Sequence, residues 1–267
     1  MIPYAFNYKK AKSVAEAEAL LKDAAEAKLL AGGQTLIATM KMRLASPSDL
    51  IDISQIPELQ FIRKDGAALV IGAATRHADV AESKEVENTI PALGALAQMI
   101  GDPAVRHMGT IGGSLANNDP AADYPAAVLA LGATIRTNRR SIAADDFFTG
   151  MFSTALKDGE IITEVSIPIP ERAAYEKFRN PASRYAMAGV FIAKTKERVR
   201  VAVTGSGPCV FRHPEMEAAL TRNFSPEAIK DIAVDANNLN SDIHASAEYR
   251  AHLTGVMARR AVQSAAA

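Results

Sequence analysis

Residues 108–125 read MGTIGGSLANNDPAADYP, in which Gly112 and Gly113 lie between two hydroxyl residues. An earlier stretch, AGGQT, has the same paired glycines followed by a hydroxyl residue. Paired glycines carry no side-chain bulk, so an anion can approach their backbone amides, and a hydroxyl group adds a donor. We call residues 31–35 (AGGQT) the first glycine stretch and residues 110–114 (TIGGS) the second glycine stretch.

The two glycine stretches together predict a site for a diphosphate. The first precedes a predicted helix that begins near Thr35, whose free first-turn amides would point at the same charge. The second has no lysine of the P-loop type. GSGPCV, from Gly205, has only the first two glycines of a dinucleotide fingerprint, and Pro208 opposes a helix start there. For either stretch alone, a simple turn remains the alternative.

The composition is that of an ordinary globular protein and excludes several functions. The chain has 267 residues, a formal net charge of +0 and 48% hydrophobic residues, which argues against nucleic-acid binding. Cys209 is the single cysteine, so this chain can hold neither an internal disulfide nor an iron–sulfur cluster on its own. The beginning MIPYAFNYKKAKS does not resemble a signal peptide, and no apolar run reaches membrane-spanning length, so we expect a cytoplasmic protein without a membrane span.

No catalytic or metal-binding set can be assembled from the side chains. The histidines are scattered, and we interpret each as a surface or capping residue: His77, His107, His213, His244 and His252. No Ser/His/Asp or Cys/His arrangement is evident. The side chains therefore predict binding rather than catalysis, as in proteins whose chemistry belongs to a bound cofactor.

The pattern of helices and strands predicts an α+β fold with two regions that divide near Ile169. Ser13 and Glu16 form a capping box before an alanine-rich helix, and MAGVFIAKTKERVRVAVTGSG predicts a hairpin with its tip at residues 194–198. Further strands are predicted in DLIDIS, ALVIGAATR, ATIRT and EIITEVSIPIP. Further helices are predicted in IPALGALAQMI, EMEAAL, SPEAIKDIAVDA and SAEYRAHLTGVMARRAVQSA, the last with Tyr249, Leu253, Val256 and Met257 on its inner face.

Six stretches, in the same order along the chain, resemble the FAD-binding medium subunit of the molybdenum hydroxylases, the xanthine dehydrogenase and aerobic carbon monoxide dehydrogenase family. They are LLAGGQTLIATMKMRL, VRHMGTIGGSLANNDPAADYP, EIITEVSIPIP, YEKFRNPASRYAMAGVFIA, RVRVAVTGSGP and SDIHASAEYRAHLTGVMARRAV. The resemblance implies a vanillyl-alcohol-oxidase-type (PCMH-type) FAD domain over residues 1–169, with two α/β subdomains of about 1–55 and 56–169. A small α+β domain would follow over residues 170–267.

The resemblance also assigns residues to the cofactor. The two glycine stretches would wrap the FAD pyrophosphate from opposite sides, through Ala31, Gly32, Gly33, Gln34, Thr35, Thr110, Ile111, Gly112, Gly113 and Ser114. The remaining positions implied to contact FAD are Ile100, Asp123 near the adenosine, Ile161 and Ile162 at the flavin, Lys177 near the flavin, and Tyr185 against the isoalloxazine. At Arg184 this chain departs from the acidic residue that is common in the family.

From the residues alone, each of these side chains has a structural alternative. Asp123 precedes YPAAVLALG and can be a helix N-cap. Ile161 and Ile162 can be core residues of a strand, Lys177 a solvated strand lysine, and Tyr185 a core tyrosine.

The implied function is electron transfer within a complex. Partner subunits would be an iron–sulfur small subunit and a molybdopterin large subunit, and the electron acceptor would be NAD, a quinone or oxygen. Two alternatives stay open: a stand-alone FAD-dependent oxidase of a small organic substrate, and a nucleotide-binding module without redox function. The sequence does not specify the substrate of the complex.

Overall fold

The first sheet has three parallel strands with helices in the connections between them. The structure is a computed structural model that describes residues 2–266. Both outer strands pair in parallel with the central one, in the order β1–β3–β2. The predicted capping box is confirmed in part: the Ser13 hydroxyl accepts from the Glu16 amide at 3.1 Å, but the Glu16 side chain accepts from the Lys12 amide at 2.8 Å and not from the Ser13 amide. The elements are β1 (Asn7–Lys10), α1 (Val14–Lys22), β2 (Ala27–Leu30), α2 (Leu36–Lys41) and β3 (Asp49–Asp52).

The second sheet has five antiparallel strands in the order β4–β5–β10–β6–β7. Six helices lie between its second and third strands in the chain, and they contribute nearly half of the buried residues of the largest hydrophobic core. The elements are β4 (Ile62–Asp65), β5 (Ala68–Gly72), α3 (His77–Glu82), α4 (Lys84–Thr89), α5 (Pro91–Gln98), α6 (Pro103–Arg106), α7 (Ile111–Asn117), α8 (Tyr124–Ala130), β6 (Thr134–Thr137), β7 (Ser141–Ala143), α9 (Ala144–Phe147), β8 (Phe148–Gly150), β9 (Ser153–Thr154) and β10 (Ile162–Pro168).

The third sheet has four antiparallel strands, and helix α8 joins it to the rest of the molecule. Every residue of α8 is buried, as expected of a helix that is apolar on all sides, and α8 packs against β12 and β13. The predicted hairpin is confirmed, with its turn between Lys194 and Val199. The elements are β11 (Arg172–Arg179), β12 (Ala186–Lys194), β13 (Val199–Thr204), β14 (Phe211–Arg212), α10 (Pro214–Arg222) and α11 (Ala247–Ala266).

One prediction for the C-terminal region is wrong, and a second is wrong at one residue, Tyr249. SPEAIKDIAVDA forms only a 3₁₀ turn, Pro226–Ile229, because Ile229, Ile232 and Val234 pack on the hydrophobic cluster under α11 at a spacing that a continuous helix would not bring to one face. In α11, Leu253 and Met257 are buried and Val256 packs against the core, as predicted. Tyr249 is 43% exposed, and Arg250 is the buried residue at that end of the inner face.

Within residues 2–266, no helix is both long enough and apolar enough to cross a membrane. The same residues contain no group of His, Cys, Asp or Glu side chains placed to hold a metal ion.

Candidate cofactor site

A cavity of about 580 Å³ lies between the first and second sheets and reaches the connection between β11 and β12. Both glycine stretches line it, together with Asp123, residues 161–162 and residues 183–185. This volume falls within the range of roughly 300–1,000 Å³ that is typical of ligand pockets.

The first glycine stretch is a loop with a run of unused backbone donors. Among residues 2–266, the N–H groups of Gly32, Gly33, Gln34 and Thr35 donate no hydrogen bond. Gly33 has a φ of +69°, a left-handed conformation that a side chain disfavours, and it turns the chain from β2 into α2. Successive free amides in a turn form a concave anion site. This stretch therefore offers the donor set that a diphosphate needs.

The second glycine stretch has a different structure, so the expectation that the two stretches share one design is wrong. It forms the first turn of α7, and the Thr110 hydroxyl accepts from the Gly113 amide at 3.1 Å as an N-cap. The other amides are also occupied: Ile111 donates to Thr75, Gly112 to Ala73 and Ser114 to the Thr110 carbonyl. Within the described chain, the Thr110 amide is the one backbone donor of this stretch left without an acceptor.

Close packing explains why both stretches need glycine. A Cβ on Gly32 would overlap the backbone of Met108 and Gly109, so the first stretch lies directly on the segment that leads into the second. A Cβ on Gly112 would lie 2.6 Å from the Ala73 Cβ and 2.7 Å from the Ala73 carbonyl oxygen. Contacts this short are not tolerated without backbone movement. The lack of a side chain at these glycines thus allows the backbones to pack closely, in addition to any role of the glycines at a ligand.

His77 is a buried residue of this site that the sequence analysis placed at the surface or at a cap. It is 6% exposed, lines the cavity and begins α3. Its backbone amide donates to Gly109 at 2.9 Å, and a Cβ on Gly109 would lie 2.5 Å from its Nε2. Burial and the Arg106 guanidinium lower the pKa of His77 to about 4, so the ring beneath the second glycine stretch is neutral at neutral pH.

The other histidines agree better with the prediction. His213 caps α10 by accepting from the Met216 amide at 3.4 Å, although its side chain is buried. His107, His244 and His252 are exposed.

Asp123 is part of a buried charged cluster at the wall of the cavity. Its Oδ1 accepts from the Tyr175 hydroxyl at 2.5 Å, and the Lys177 ammonium lies 2.9 Å from Oδ1 and 3.0 Å from Oδ2. Burial raises the pKa of Asp123, and the Lys177 charge together with the hydrogen bonds from Tyr175 and Lys177 opposes that rise. The side chain makes no hydrogen bond to a helix amide, so the N-cap alternative for Asp123 is wrong.

Lys177 lies behind this wall rather than on the cavity surface. Its side chain is 2% exposed, and its third contact is the Met99 carbonyl at 3.1 Å. The solvated-lysine alternative is therefore also wrong. Lys177 can influence a ligand in the cavity only through Asp123 and through its charge.

Tyr185 and Arg184 form the far end of the cavity. Arg184 has a φ of +63° and donates to the Gly101 carbonyl at 3.3 Å, next to Ile100. This left-handed residue turns the chain, so that the half-exposed Tyr185 ring is presented to the cavity. Tyr185 is consequently not a core tyrosine.

The two isoleucines are buried and line the cavity. The Ile161 amide donates to the Asn138 side chain at 2.9 Å, and its carbonyl accepts from the Asn138 amide at 2.9 Å. The backbone of Ile161 is therefore already satisfied within the protein.

All of the residues predicted to contact the cofactor line this cavity except Ile111 and Lys177. Ile111 points into the hydrophobic core. Sequence reasoning missed seven polar lining residues: Lys28, His77, Asn117, Asp119, Glu160, Ser183 and Arg184. Of these, only Arg184 carried a signal, because it departs from the acidic residue expected at its position.

Comparison with known proteins agrees with this geometry. Residues 4–170 match the family described as FAD binding domain in molybdopterin dehydrogenase, and residues 173–265 match the CO dehydrogenase flavoprotein C-terminal domain.

Relatives match over nearly their whole length. The chain is 37% identical to the carbon monoxide dehydrogenase medium chain of Hydrogenophaga pseudoflava, covering 99% of this chain and 98% of that protein. It is 35% identical to the nicotine 6-hydroxylase medium subunit of Paenarthrobacter nicotinovorans, covering 98% of both. The structure of reconstituted CO dehydrogenase from Oligotropha carboxidovorans superimposes with a TM-score of 0.90, at 35% identity and 99% coverage of both chains. This chain belongs to the FAD-binding medium subunits of the molybdenum hydroxylase-type dehydrogenases.

Proposed function

We propose that this chain is the electron-transfer subunit of its complex. Its FAD would take electrons from [2Fe–2S] clusters on an iron–sulfur small subunit and pass them to an external acceptor, which is NAD, a quinone or oxygen. A molybdopterin large subunit would supply those electrons by oxidising the substrate. Two facts support this: relatives that match over 98% of their own length are named as a medium chain and a medium subunit, and Cys209 alone cannot hold a cluster.

The run of free amides from Gly32 to Thr35 is the observation that carries the proposal. Four unused N–H groups on the wall of a dinucleotide-sized cavity match the oxygens of a diphosphate. We therefore assign the FAD diphosphate to the first glycine stretch, and we assign to the second the tasks of supporting that loop and adding the Thr110 amide. When bound, the flavin ring supplies the chemistry, because it exchanges one or two electrons.

Asp123 and Lys177 have linked roles in this proposal. An ionised carboxylate offers about four acceptor sites, and Tyr175 and Lys177 use three of them. One site on Oδ2 remains for a ribose hydroxyl of the adenosine. Lys177 acts through Asp123, since it keeps the carboxylate ionised and fixed at the cavity wall.

Tyr185, Ile100, Ile161 and Ile162 would enclose the flavin ring. Tyr185 is the exposed aromatic at one end of the cavity, and the isoleucines provide apolar surface. A dry, apolar contact of this kind excludes water from the ring and tunes its potential. We also propose that residues 1–169 form the FAD domain, with subdomains of about 1–55 and 56–169, and that residues 170–267 form the second domain.

The substrate of the complex is not determined in this chain. Relatives of similar identity are named for carbon monoxide and for nicotine. In the proposed arrangement, substrate oxidation occurs on the large subunit.

Affinity purification of the tagged full chain from its native cells tests the proposal. We expect a yellow complex that contains two further subunits, with molybdenum and iron present, and a flavin band that bleaches when a substrate is added. A lone yellow chain that turns over a small organic substrate would instead identify a stand-alone oxidase. A colourless chain that binds nucleotides but not FAD would identify a module without redox function.

A further inference from the structure

The loop of residues 119–123, between α7 and α8, lies directly on the third sheet. Asp119, Ala122 and Asp123 of this loop line the cofactor cavity. Helix α8 begins at the end of the loop and packs against β12 and β13. The third sheet therefore supports, from behind, one wall of a cavity that is lined mostly by residues before β11.

A row of three cross-strand partners on the third sheet faces the 119–123 loop. Lys177 of β11 pairs with Gly189 of β12, and Gly189 pairs with Thr204 of β13. Residues that pair directly project to the same face of a sheet. Both ends of the row bond to the loop, Lys177 to the Asp123 carboxylate and Thr204 to two backbone carbonyls. The row thus holds the loop at two separate points.

Thr204 fixes the backbone that precedes Asp123. The residue is fully buried, and its hydroxyl donates to the carbonyls of Ala122 at 2.6 Å and Pro120 at 3.0 Å. The amide of Gly205 also donates to the Pro120 carbonyl, at 2.8 Å. Strand β13 therefore sets the position of the chain from which the Asp123 side chain projects.

Gly189 leaves room for the Tyr175 hydroxyl beside this row. A Cβ on Gly189 would overlap that hydroxyl and would lie 3.0 Å from the Thr204 Cγ2. A glycine inside a strand weakens the strand and often marks a close approach of this kind. The Tyr175 ring is stacked on its cross-strand partner Phe191, with 6.1 Å between the ring centroids. These neighbours hold the Tyr175 hydroxyl in one place, 2.5 Å from the Asp123 Oδ1.

Tyr175 and Lys177 together fix the orientation of the Asp123 carboxylate. Burial and the Asp123 charge raise the pKa of Tyr175 well above its usual value, so the hydroxyl keeps its proton and donates it to the hydrogen bond. Lys177 contacts both carboxylate oxygens, whereas Tyr175 contacts Oδ1 alone. Two donors in different positions fix the plane of the carboxylate, and the free acceptor site on Oδ2 is then fixed as well.

We propose that Tyr175, Gly189 and Thr204 are positioning residues, through which the third sheet aligns Asp123 with the adenosine ribose of the cofactor. This inference rests on the proposed function. None of the three residues lines the cavity, so they act through the 119–123 loop. A carboxylate that is already aligned binds with a smaller loss of conformational freedom. The third sheet is thereby part of the cofactor site, although the FAD-binding family match covers residues 4–170.

A double-mutant cycle tests the role of Tyr175, with FAD affinity measured by fluorescence titration of the full-length apoprotein. Tyr175→Phe should weaken FAD binding about tenfold, because it removes a hydrogen bond to a charged group. In an Asp123→Asn background, the same change should have an effect of less than about twofold, since the carboxylate that Tyr175 orients is gone. In a Thr110→Ala background, at another part of the cavity wall, the full effect should persist. Tyr249→Phe, at an exposed tyrosine of α11, should bind FAD as the wild type does.

Thr204 provides a second test that leaves the buried charges intact. Thr204→Val removes the hydroxyl that bonds to the loop and should weaken FAD binding about fivefold. Thr204→Ser keeps a hydroxyl and should restore the affinity to within about twofold of wild type. Thr221→Val is the matched control, because the Thr221 hydroxyl bonds to Glu217 within α10, away from the loop.

Two results would overturn the inference. Equal effects of Tyr175→Phe in the Asp123→Asn and Thr110→Ala backgrounds would show that Tyr175 acts on the fold in general. Equal losses of FAD affinity in Thr204→Ser and Thr204→Val would exclude a role for the Thr204 hydroxyl. A wild-type chain that does not bind FAD would contradict the proposed function instead, and the same cycle in the free energy of unfolding would still test whether Tyr175 acts through Asp123.

Discussion

The two glycine stretches resemble each other in sequence but differ in structure. The first keeps its amides from Gly32 to Thr35 unused and turns through a left-handed Gly33. The second is helical, and its amides from Ile111 to Ser114 are all bonded within the protein. The difference comes from the neighbouring residues, because Thr110 caps the turn that follows it, whereas Thr35 makes no side-chain cap. Paired glycines thus permit a phosphate site without specifying one, and here the second pair supports the first.

The largest effect is expected for Gly112→Ala, which disrupts the packing of the second glycine stretch against Ala73. The new Cβ would meet the Ala73 side chain and carbonyl at 2.6 and 2.7 Å, and overpacking a rigid backbone contact costs about 3 kcal/mol. We expect that loss in the free energy of unfolding, measured by urea denaturation. Gly255→Ala in α11 is the control, because its Cβ would have only the Arg259 side chain nearby, at 3.6 Å. A Gly112→Ala protein as stable as this control would show that the second stretch is not a packed support.

The pH dependence of the free energy of unfolding should report the protonation of His77, which is buried beneath the second glycine stretch. Its pKa in the folded state is about 4, below the value of about 6.5 for an unfolded chain. The unfolded state therefore binds more protons between these values, so stability is fully present above pH 6.5 and falls by about 3 kcal/mol by pH 4. In chemical denaturation, His77→Gln should remove most of the decrease in the free energy of unfolding between pH 6.5 and pH 4. His252→Gln, at an exposed position, should leave that decrease unchanged. Identical pH profiles in both variants would contradict a neutral buried His77.

Gly32→Ala should separate the two stretches and weaken the first as a binding loop. Its Cβ would overlap the Met108 carbonyl, and a displacement that costs about 2 kcal/mol corresponds to roughly thirtyfold in FAD affinity. Fluorescence titration of the apoprotein with FAD measures this change. Gly113→Ala is the comparison, since its Cβ would press mainly on the Thr110 hydroxyl at 2.9 Å. Equal losses of FAD affinity in Gly32→Ala and Gly113→Ala would contradict the different roles that we propose for the two stretches.

Thr110→Ala should have the smallest effect. It removes the N-cap of α7, and such a loss costs about 1 kcal/mol. Thermal unfolding should show a modest drop in Tm, and Thr110→Ser should restore most of it. A large loss of FAD binding with an unchanged Tm would mean that the Thr110 hydroxyl contacts the cofactor directly, against the role assigned to it here.

Local patterns allowed much of this molecule to be predicted, and the failures have physical causes. The helix N-cap at Ser13 and the hairpin turn after Lys194 follow from neighbouring residues alone. The helical second stretch does not, because glycine disfavours helix and the turn depends on distant acceptors at Ala73 and Thr75. The burial of His77 likewise depends on packing against Gly109, which no local pattern reports.

In the proposed arrangement, the first glycine stretch binds the diphosphate and the second glycine stretch supports it. Two-dimensional ¹H–¹⁵N NMR of the full chain, labelled on glycine and titrated with FAD and separately with ADP, observes both stretches in one experiment. We predict large downfield shifts of the Gly32 and Gly33 amide protons with either ligand, and small shifts at Gly112 and Gly113, whose amides are already bonded. Large shifts at Gly112 and Gly113 with little change at Gly32 and Gly33 would contradict the account.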